Sequence, residues 1–193
     1  MKIIDCSMYF DEDMMLDVRL NTLDKHVSHF FICEATYNHK GIKKKLNFDI
    51  NKFAKFKDKI TYLILENQPR NLRTLSPKDT ELTNNSKVLD NALLRENYQR
   101  NFVLKHLEKI SGEDLIIIND VDEIPNLNNF QYKNKITIFK QKLFYYKFNL
   151  LYPDFIWIGS KICKKKHLSS PQWLRNIKSR KYPLWRLDAL FSK

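Results

Sequence analysis

Glycine and proline are scarce, three and six in 193 residues, and this excludes a collagen-like or low-complexity chain. Cysteine is too sparse for a disulfide or zinc framework. Cys6, Cys33 and Cys163 are odd in number and widely spaced, with no CxxC and no His/Cys cluster, so a reducing compartment is expected. No apolar run approaches the roughly 20 residues of a membrane span. The opening Met1-Lys2-Ile3-Ile4-Asp5 is too short and too charged for a signal peptide and reads as a core strand beginning at once. A cytoplasmic location is the resulting expectation. Acidic residues are the minority charge: 22 Asp and Glu stand against 34 Lys and Arg, a net +12. A surplus of that sign attracts nucleotide phosphates, nucleic acid or an acidic membrane surface. The bias towards Lys, Asn and Ile is also what AT-rich coding produces, so charge alone assigns no partner.

What remains is a globular composition, 43% apolar and 29% charged, of a size for one domain with a sizeable core. Residues 3–10 (IIDCSMYF) read as a buried strand, followed by a helix over about 13–25 that Asp11 and Asp13 cap. Further strands are expected at 29–34, 59–65 and 114–119, with a helix over about 89–110. Between them, 66–88 is a polar stretch without periodicity, long for a loop in a compact domain. This alternation predicts a Rossmann-type, mostly parallel α/β sheet. After Pro125 the pattern changes. Residues 135–148 and 155–163 are aromatic and β-rich with no helix between them, so antiparallel strands are expected there.

The sharpest feature is Leu115-Ile116-Ile117-Ile118-Asn119-Asp120-Val121-Asp122-Glu123-Ile124-Pro125, an apolar run that ends in three carboxylates within four residues. In a parallel α/β sheet, ligands bind at the carboxyl ends of strands. Asp120 and Asp122 are two apart, and in an extended turn they can share one cation or divide between cation and ligand. Carboxylates this close repel unless something positive sits between them. Hard oxygen ligands suit Mg²⁺ or Mn²⁺. A solvated acidic turn capping a following helix would give the same string, and spacing alone leaves both readings open.

The preceding helix carries Arg95, Glu96, Asn97 and Arg100. Its apolar stripe Val103, Leu107, Ile110 continues backwards at helical spacing into Arg100 and Glu96, so the inward face turns polar towards its N-terminus. The chain then reverses through Ser111-Gly112 into the strand ending at Asp120. Helix and strand each cover roughly 20 Å, which returns Arg95, Asn97 and Arg100 to the acidic turn. Cations beside a carboxylate–metal cluster suit a diphosphate. The competing reading is a surface Glu96–Arg100 pair of little energetic weight.

Five stretches together resemble a known family: IIDCSMYFDEDMMLDVRLNTL, EATYNHKGIKKKLNF, RENYQRN, IINDVDEIP and FYYKFNLLYPDFIWIGSKIC, which span most of residues 2–168. The chain resembles the family 17 glycosyltransferases, the group containing β-1,4-mannosyl-glycoprotein 4-β-N-acetylglucosaminyltransferase. RENYQRN followed by a strand and DVDEIP is the specific combination. The resemblance implies a GT-A-like fold, a UDP-GlcNAc donor, a glycan acceptor, a divalent cation (Mn²⁺ or Mg²⁺) and an inverting transfer. Asp120 and Asp122 match the DxD element and are both expected at the metal, Asp122 the more direct ligand, with Asp120 also beside the nucleotide. Arg95, Asn97 and Arg100 match the polar helix motif. Glu34, and more weakly Asp5, stand where such folds place an acid that reads the base or ribose. Glu123 and Asp154 are the exposed acids expected to include the catalytic base. Residues 1–125 would form the donor half and 126–193 the acceptor half of a single domain.

Members of the family generally continue beyond the position of Lys193. The acceptor side and the base are therefore expected to be incomplete, with Asp188 a further candidate base. Donor and Mn²⁺ should bind while turnover is slow and mostly hydrolytic. Exposed apolar surface is expected around Trp173, Leu184, Trp185, Leu187, Leu190 and Phe191, for a second copy or a partner subunit to cover. Two other classes compete. Nucleotidyl transfer uses the same paired carboxylates but needs a further acid on a neighbouring strand. A nucleic-acid binder would use the runs from Lys140 to Lys147 and Lys164-Lys165-Lys166-His167, read here instead as alternating strand with one solvated lysine face.

Overall fold

The computed structural model describes residues 1–178. Four apolar segments form the parallel part of the sheet: β1 (Ile3–Tyr9), β2 (His29–Ala35), β3 (Ile60–Leu65) and β4 (Leu115–Asp120). Most residues of β1, β2 and β4 are buried on both faces, as parallel strands under two helical layers require. The strand order begins β3-β2-β1-β4, and β1 pairs in parallel with both β2 and β4. One face is covered by α1 (Asp13–Leu23), through Leu16, Leu20 and Leu23, and by a 3₁₀ stretch, Ile50–Lys59, through Phe53 and Phe56. The other face is covered by α2 (Glu81–Phe102) and its 3₁₀ continuation Val103–Leu107. The three cysteines are buried and unpaired.

Beyond β4 come β5 (Ile136–Ile138), β6 (Gln141–Phe144), β7 (Leu151–Trp157), β8 (Lys161–Lys164) and the short α3 (Pro171–Asn176). The expected antiparallel strands are present, but they serve two sheets. β8 pairs antiparallel with β4 and β5 with β8, which completes a six-stranded sheet. β6 and β7 form a separate hairpin. The strand expected over 155–163 is broken at Gly159. A Cβ there would overlap the Glu123 carboxyl, so the chain passes that point without a side chain and changes sheets.

α2 starts at Glu81, earlier than the apolar pattern indicates. Its first turns are solvated, with Leu82 82% exposed, and carry no stripe to read. Thr80 caps them, its Oγ1 accepting from Thr83 N at 3.2 Å. Asn91 then ties the preceding loop to the helix, exchanging two hydrogen bonds with the backbone of Arg73 at 2.7 and 2.8 Å. Trp173 is half-buried and packs on the core beneath α2, contrary to the expected exposure. Leu184, Trp185, Leu187, Asp188, Leu190 and Phe191 lie outside the described residues. Lys164 and Lys166 both bind the Glu113 carboxylate, so that basic run is paired within the fold. In the run from Lys140 to Lys147 the structure shows no single lysine face: residues 144–147 are all exposed.

Inside the α1 layer a fully buried guanidinium replaces an apolar side chain. Arg19 sits in the stripe Leu16-Arg19-Leu20-Leu23 with 0% exposure. Its Nε and Nη2 donate to the two Asp5 oxygens at 2.8 and 2.7 Å, and Nη2 also donates to Asn119 Oδ1. Nη1 donates to the carbonyls of Asp120, Val121 and Glu123 at 3.2, 3.2 and 2.9 Å. α1 thereby fixes the backbone of the acidic turn. Arg19→Ala should cost about 3–5 kcal/mol in urea unfolding, because it strands the Asp5 carboxylate. Arg19→Lys should recover only part of it, since an ammonium cannot fork.

Candidate functional site

The strand order reverses direction at β1, with β2 on one side and β4 on the other, and ligands of such sheets bind at that point. A cavity of about 410 Å³ opens there. Its walls are residues 8–10 at the end of β1, 37–39 after β2, 120–122 at the end of β4, and Arg95, Glu96 and Gln99 of α2. Phe10 and His39 stack at its rim with ring centroids 6.3 Å apart. Arg95 is steered across the cleft by its Nη1 bond to the His39 carbonyl (3.0 Å) and its Nε bond to Gln68 (2.8 Å). It passes over Gly41, whose φ is +83° and where a Cβ would lie 2.5 Å from Arg95 Nη2. The positive φ calls for glycine, and an added Cβ would displace the Arg95 guanidinium.

The acidic turn is held by two arginines. Asp120 accepts from Arg100 Nη2 at 2.9 Å and from Arg175 Nη2 at 2.7 Å, one guanidinium on each oxygen. Glu123 folds back on the turn, its Oε2 accepting from Asp120 N at 3.0 Å. Arg175 grips the Glu123 carboxylate with both terminal nitrogens, at 2.6 and 2.7 Å, and Trp157 Nε1 adds a third donor at 2.6 Å. Asp122 is exposed, and among the described residues its carboxylate has no hydrogen-bonding or ionic partner. Desolvation at the cleft, then the Glu123 and Asp120 carboxylates, raise its pKa above the ordinary value.

The sequence model of glycosyltransferase family 17 matches residues 1–161. The chain belongs to glycosyltransferase family 17. It is therefore a glycosyltransferase, which takes a nucleotide-sugar donor and an acceptor. No match is found among the curated proteins. Every residue lining the cleft falls inside the matched span, whereas Arg175 follows it.

In this glycosyltransferase the expected residues divide by position. Arg95, Asp120 and Asp122 share the cleft. Arg100 does reach the acidic turn, but behind it: it is 4% exposed, paired with Glu96 and Asp120, and does not line the cleft. Asn97 is half-buried one residue beyond Glu96 and also does not line it. Glu34 and Asp5 point the other way, into the layer under α1. The Glu34 carboxylate is 0% exposed and satisfied by Lys44, the amides of Asn47 and Phe48, and Tyr62 Oη. Asp5 is committed to Arg19, so β1 offers no further free acid of the kind nucleotidyl transfer needs. Glu123 was expected to be exposed and is 4% exposed, because Gly159 lets the 157–160 segment close over it. Asp154 is exposed but sits on the hairpin and not at the cleft.

Sequence reasoning missed Arg175, which lies in a weakly periodic basic stretch and gives no signal. Arg19 had one, a lone cation in a perfect apolar stripe. Lys161 was also missed. It is 4% exposed, donates to the Arg175 carbonyl, and burial followed by the Arg175 charge pulls its pKa down to about 8.

Among the described residues no three His, Cys, Asp or Glu side chains converge as a ready-made metal cage. Asp122 nonetheless fits a divalent cation: among the described residues it is an unpaired oxygen donor, and desolvation, then crowding by like charges, disfavours its ionised form. Asp120 fits less well, since guanidinium groups hold both its oxygens. Two outcomes are expected. A carboxyl whose folded pKa is raised destabilises the fold increasingly as pH climbs through its titration. Asp122→Asn should therefore raise the melting temperature near pH 7 in chelator, and the gain should vanish in acid, as scanning calorimetry will show. Gly159→Ala should cost about 1–3 kcal/mol by overpacking against Glu123, measured by urea unfolding.

Proposed function

We propose that this glycosyltransferase is a metal-dependent, inverting enzyme of GT-A-like fold that transfers N-acetylglucosamine from UDP-GlcNAc to a glycan acceptor. The observation that carries the metal and diphosphate part is the cleft at the β1/β4 reversal, with the unpaired Asp122 at one wall and Arg95 at another. Donor sugar and acceptor class rest on the resemblance of RENYQRN and DVDEIP.

Asp122 would hold Mn²⁺ or Mg²⁺, a hard cation that suits a protein supplying one or two carboxylates beside a phosphate. A cation bound there would supply Lewis-acid stabilisation of the charge that develops on the leaving diphosphate. Arg95 is held by only two of its three nitrogens among the described residues, which leaves Nη2 for a phosphate oxygen. The Phe10–His39 pair offers a flat surface to the base. Asp120 acts indirectly: it binds Arg100 and Arg175 and so fixes the turn that aims Asp122. In an inverting transfer the acceptor oxygen attacks the anomeric carbon opposite the diphosphate and gives up its proton to a carboxylate. Glu96 suits that task better than Glu123 or Asp154. It lines the cleft, and only its Oε1 is engaged, by Arg100.

Calorimetric titration of UDP with and without Mn²⁺ tests the reading. Asp122→Asn should remove the Mn²⁺-dependent part of UDP binding. Arg95→Ala should weaken UDP roughly tenfold or more and leave uridine nearly unchanged, since a charge-assisted bond to phosphate is worth about 1.5–3 kcal/mol. Glu96→Gln should leave donor binding intact and lower kcat by about 10²–10⁴. Unchanged Mn²⁺-dependent binding in Asp122→Asn would remove the metal assignment.

A further inference from the structure

The largest unexplained feature lies outside the cleft. All seven residues of β7 are exposed, and so are residues 144–150 of the connecting turn. Most are large and apolar: Tyr146 is 96% exposed, Phe148 59%, Ile156 56% and Tyr145 51%, with Leu150, Leu151, Tyr152 and Phe155 close behind. Tyr146 also holds a left-handed backbone, φ 56°, which a bulky side chain rarely adopts. Neither β6 nor β7 pairs with the main sheet. The register jumps from Lys142–Ile156 to Leu143–Tyr152, leaving Pro153, Asp154 and Phe155 without ladder partners. A lone two-stranded ribbon is marginal in water, and its contacting rings Tyr146, Tyr145, Tyr152, Phe155 and Trp157 form an exposed chain of the kind that marks an interaction surface.

Charge decides what covers it. Between residues 140 and 157 stand Lys140, Lys142 and Lys147 against the single acid Asp154, in a chain of net charge +12. A second copy would set lysines against lysines. Nucleic acid would satisfy the lysines and the flat rings but has no use for Leu150, Leu151 and Ile156, which gain only in an apolar phase. A neutral glycan complements neither the ammonium groups nor the aliphatic chains. A bilayer surface with anionic headgroups complements all three kinds of side chain. Tyrosine and tryptophan prefer the boundary between water and acyl chains, and lysine stems lie along apolar surface with the charge in water. The hairpin also carries a groove of about 300 Å³ lined by Lys140, Lys142, Tyr152, Pro153, Phe155 and Ile156. Two lysines and two aromatic rings thus share one groove, a combination that suits a lipid phosphate.

We propose that the β6–β7 hairpin is a membrane-interface anchor, which seats its aromatic and aliphatic tip among the headgroups of an anionic bilayer with Lys140, Lys142 and Lys147 on the lipid phosphates. The anchor is attached to the rest of the site: Trp157 at its base donates to Glu123, inside the turn that carries Asp122. A docked hairpin therefore holds the cleft at a set distance and angle from the lipid surface. The proposal does not depend on which sugar nucleotide the cleft takes.

Sedimentation with phosphatidylcholine vesicles, with and without phosphatidylglycerol, tests it on the full chain. Binding is expected only with phosphatidylglycerol and should fall steeply with salt. Lys140→Glu/Lys142→Glu should weaken it by well over tenfold, since each lysine near an anionic surface contributes roughly a factor of five. Tyr146→Ser/Phe148→Ser/Leu150→Ser should weaken it at least tenfold. Circular dichroism melts and UDP affinity should be unchanged in both variants, because none of these residues touches the cleft or the core. Equal binding to neutral vesicles, or binding that survives both sets of changes, overturns the proposal. So does a lipid-free dimer that the tip variant dissolves, which would assign the surface to a second copy. Binding of random single-stranded DNA that both variants abolish, without vesicle binding, would overturn it in favour of nucleic acid.

Discussion

The guanidinium of Arg19 is the contact on which the site's geometry depends. It joins α1, β1 and the turn after β4, three segments far apart in sequence, through Asp5, Asn119 and three consecutive-turn carbonyls. The carbonyls at the end of a parallel strand have no ladder partner and must find a donor when buried. Here one charged group donates to the carbonyls of Asp120, Val121 and Glu123, with Glu123 N and Ser160 Oγ also serving the first and the last. Its own charge is balanced by Asp5, which is why an acid is tolerated in the middle of a buried strand. The pair costs desolvation that apolar residues would avoid. What it supplies is a fixed path for the turn, and the orientation of Asp122 follows from that path.

The second constraint is like-charge repulsion. Asp120, Asp122 and Glu123 stand within one turn, and the fold compensates two of them. Arg100 comes from the helix before the strand and Arg175 from the short helix after the sheet, so the turn is clasped from two sides. Glu123 is bonded at both oxygens and buried. Asp122 is left without a cation among the described residues, and its raised pKa is the electrostatic record of that omission. Two of three adjacent acids are thus neutralised and the third is exposed at a cleft, which is the arrangement that supports the proposed ligand role of Asp122.

Legibility differed by the kind of signal each element carries. The four parallel strands were plain from their apolar runs and the acidic turn from its abrupt polarity, because both are local patterns. The return of Arg95 and Arg100 to the turn followed from lengths alone. α2 began eight residues before the expected start because its first turns face water and carry no stripe. Glu34, Asp5 and Glu123 were read as available acids because a sequence does not show which face of a strand a residue occupies, nor who waits there. Their partners, Tyr62, Arg19 and Arg175, are between 14 and 52 residues away. The strand expected over 155–163 looked continuous because its composition is uniform. Only the collision between Gly159 and Glu123 explains why it breaks.

The position of Arg175 has an evolutionary side. The stretch shared with the family ends at Lys161, and the cation that neutralises Asp120 and Glu123 comes after it. A turn inside the common scaffold thus takes its charge balance from a peripheral helix of six residues. The helix is anchored by Leu174, fully buried, and by Trp173, packed on the core, so exchange of Arg175 alone leaves that packing in place. Such an exchange would nonetheless change the electric field at the mouth of the cleft while every residue of the scaffold stayed the same. Two proteins could then differ in the field at that mouth while sharing every residue of the matched stretch.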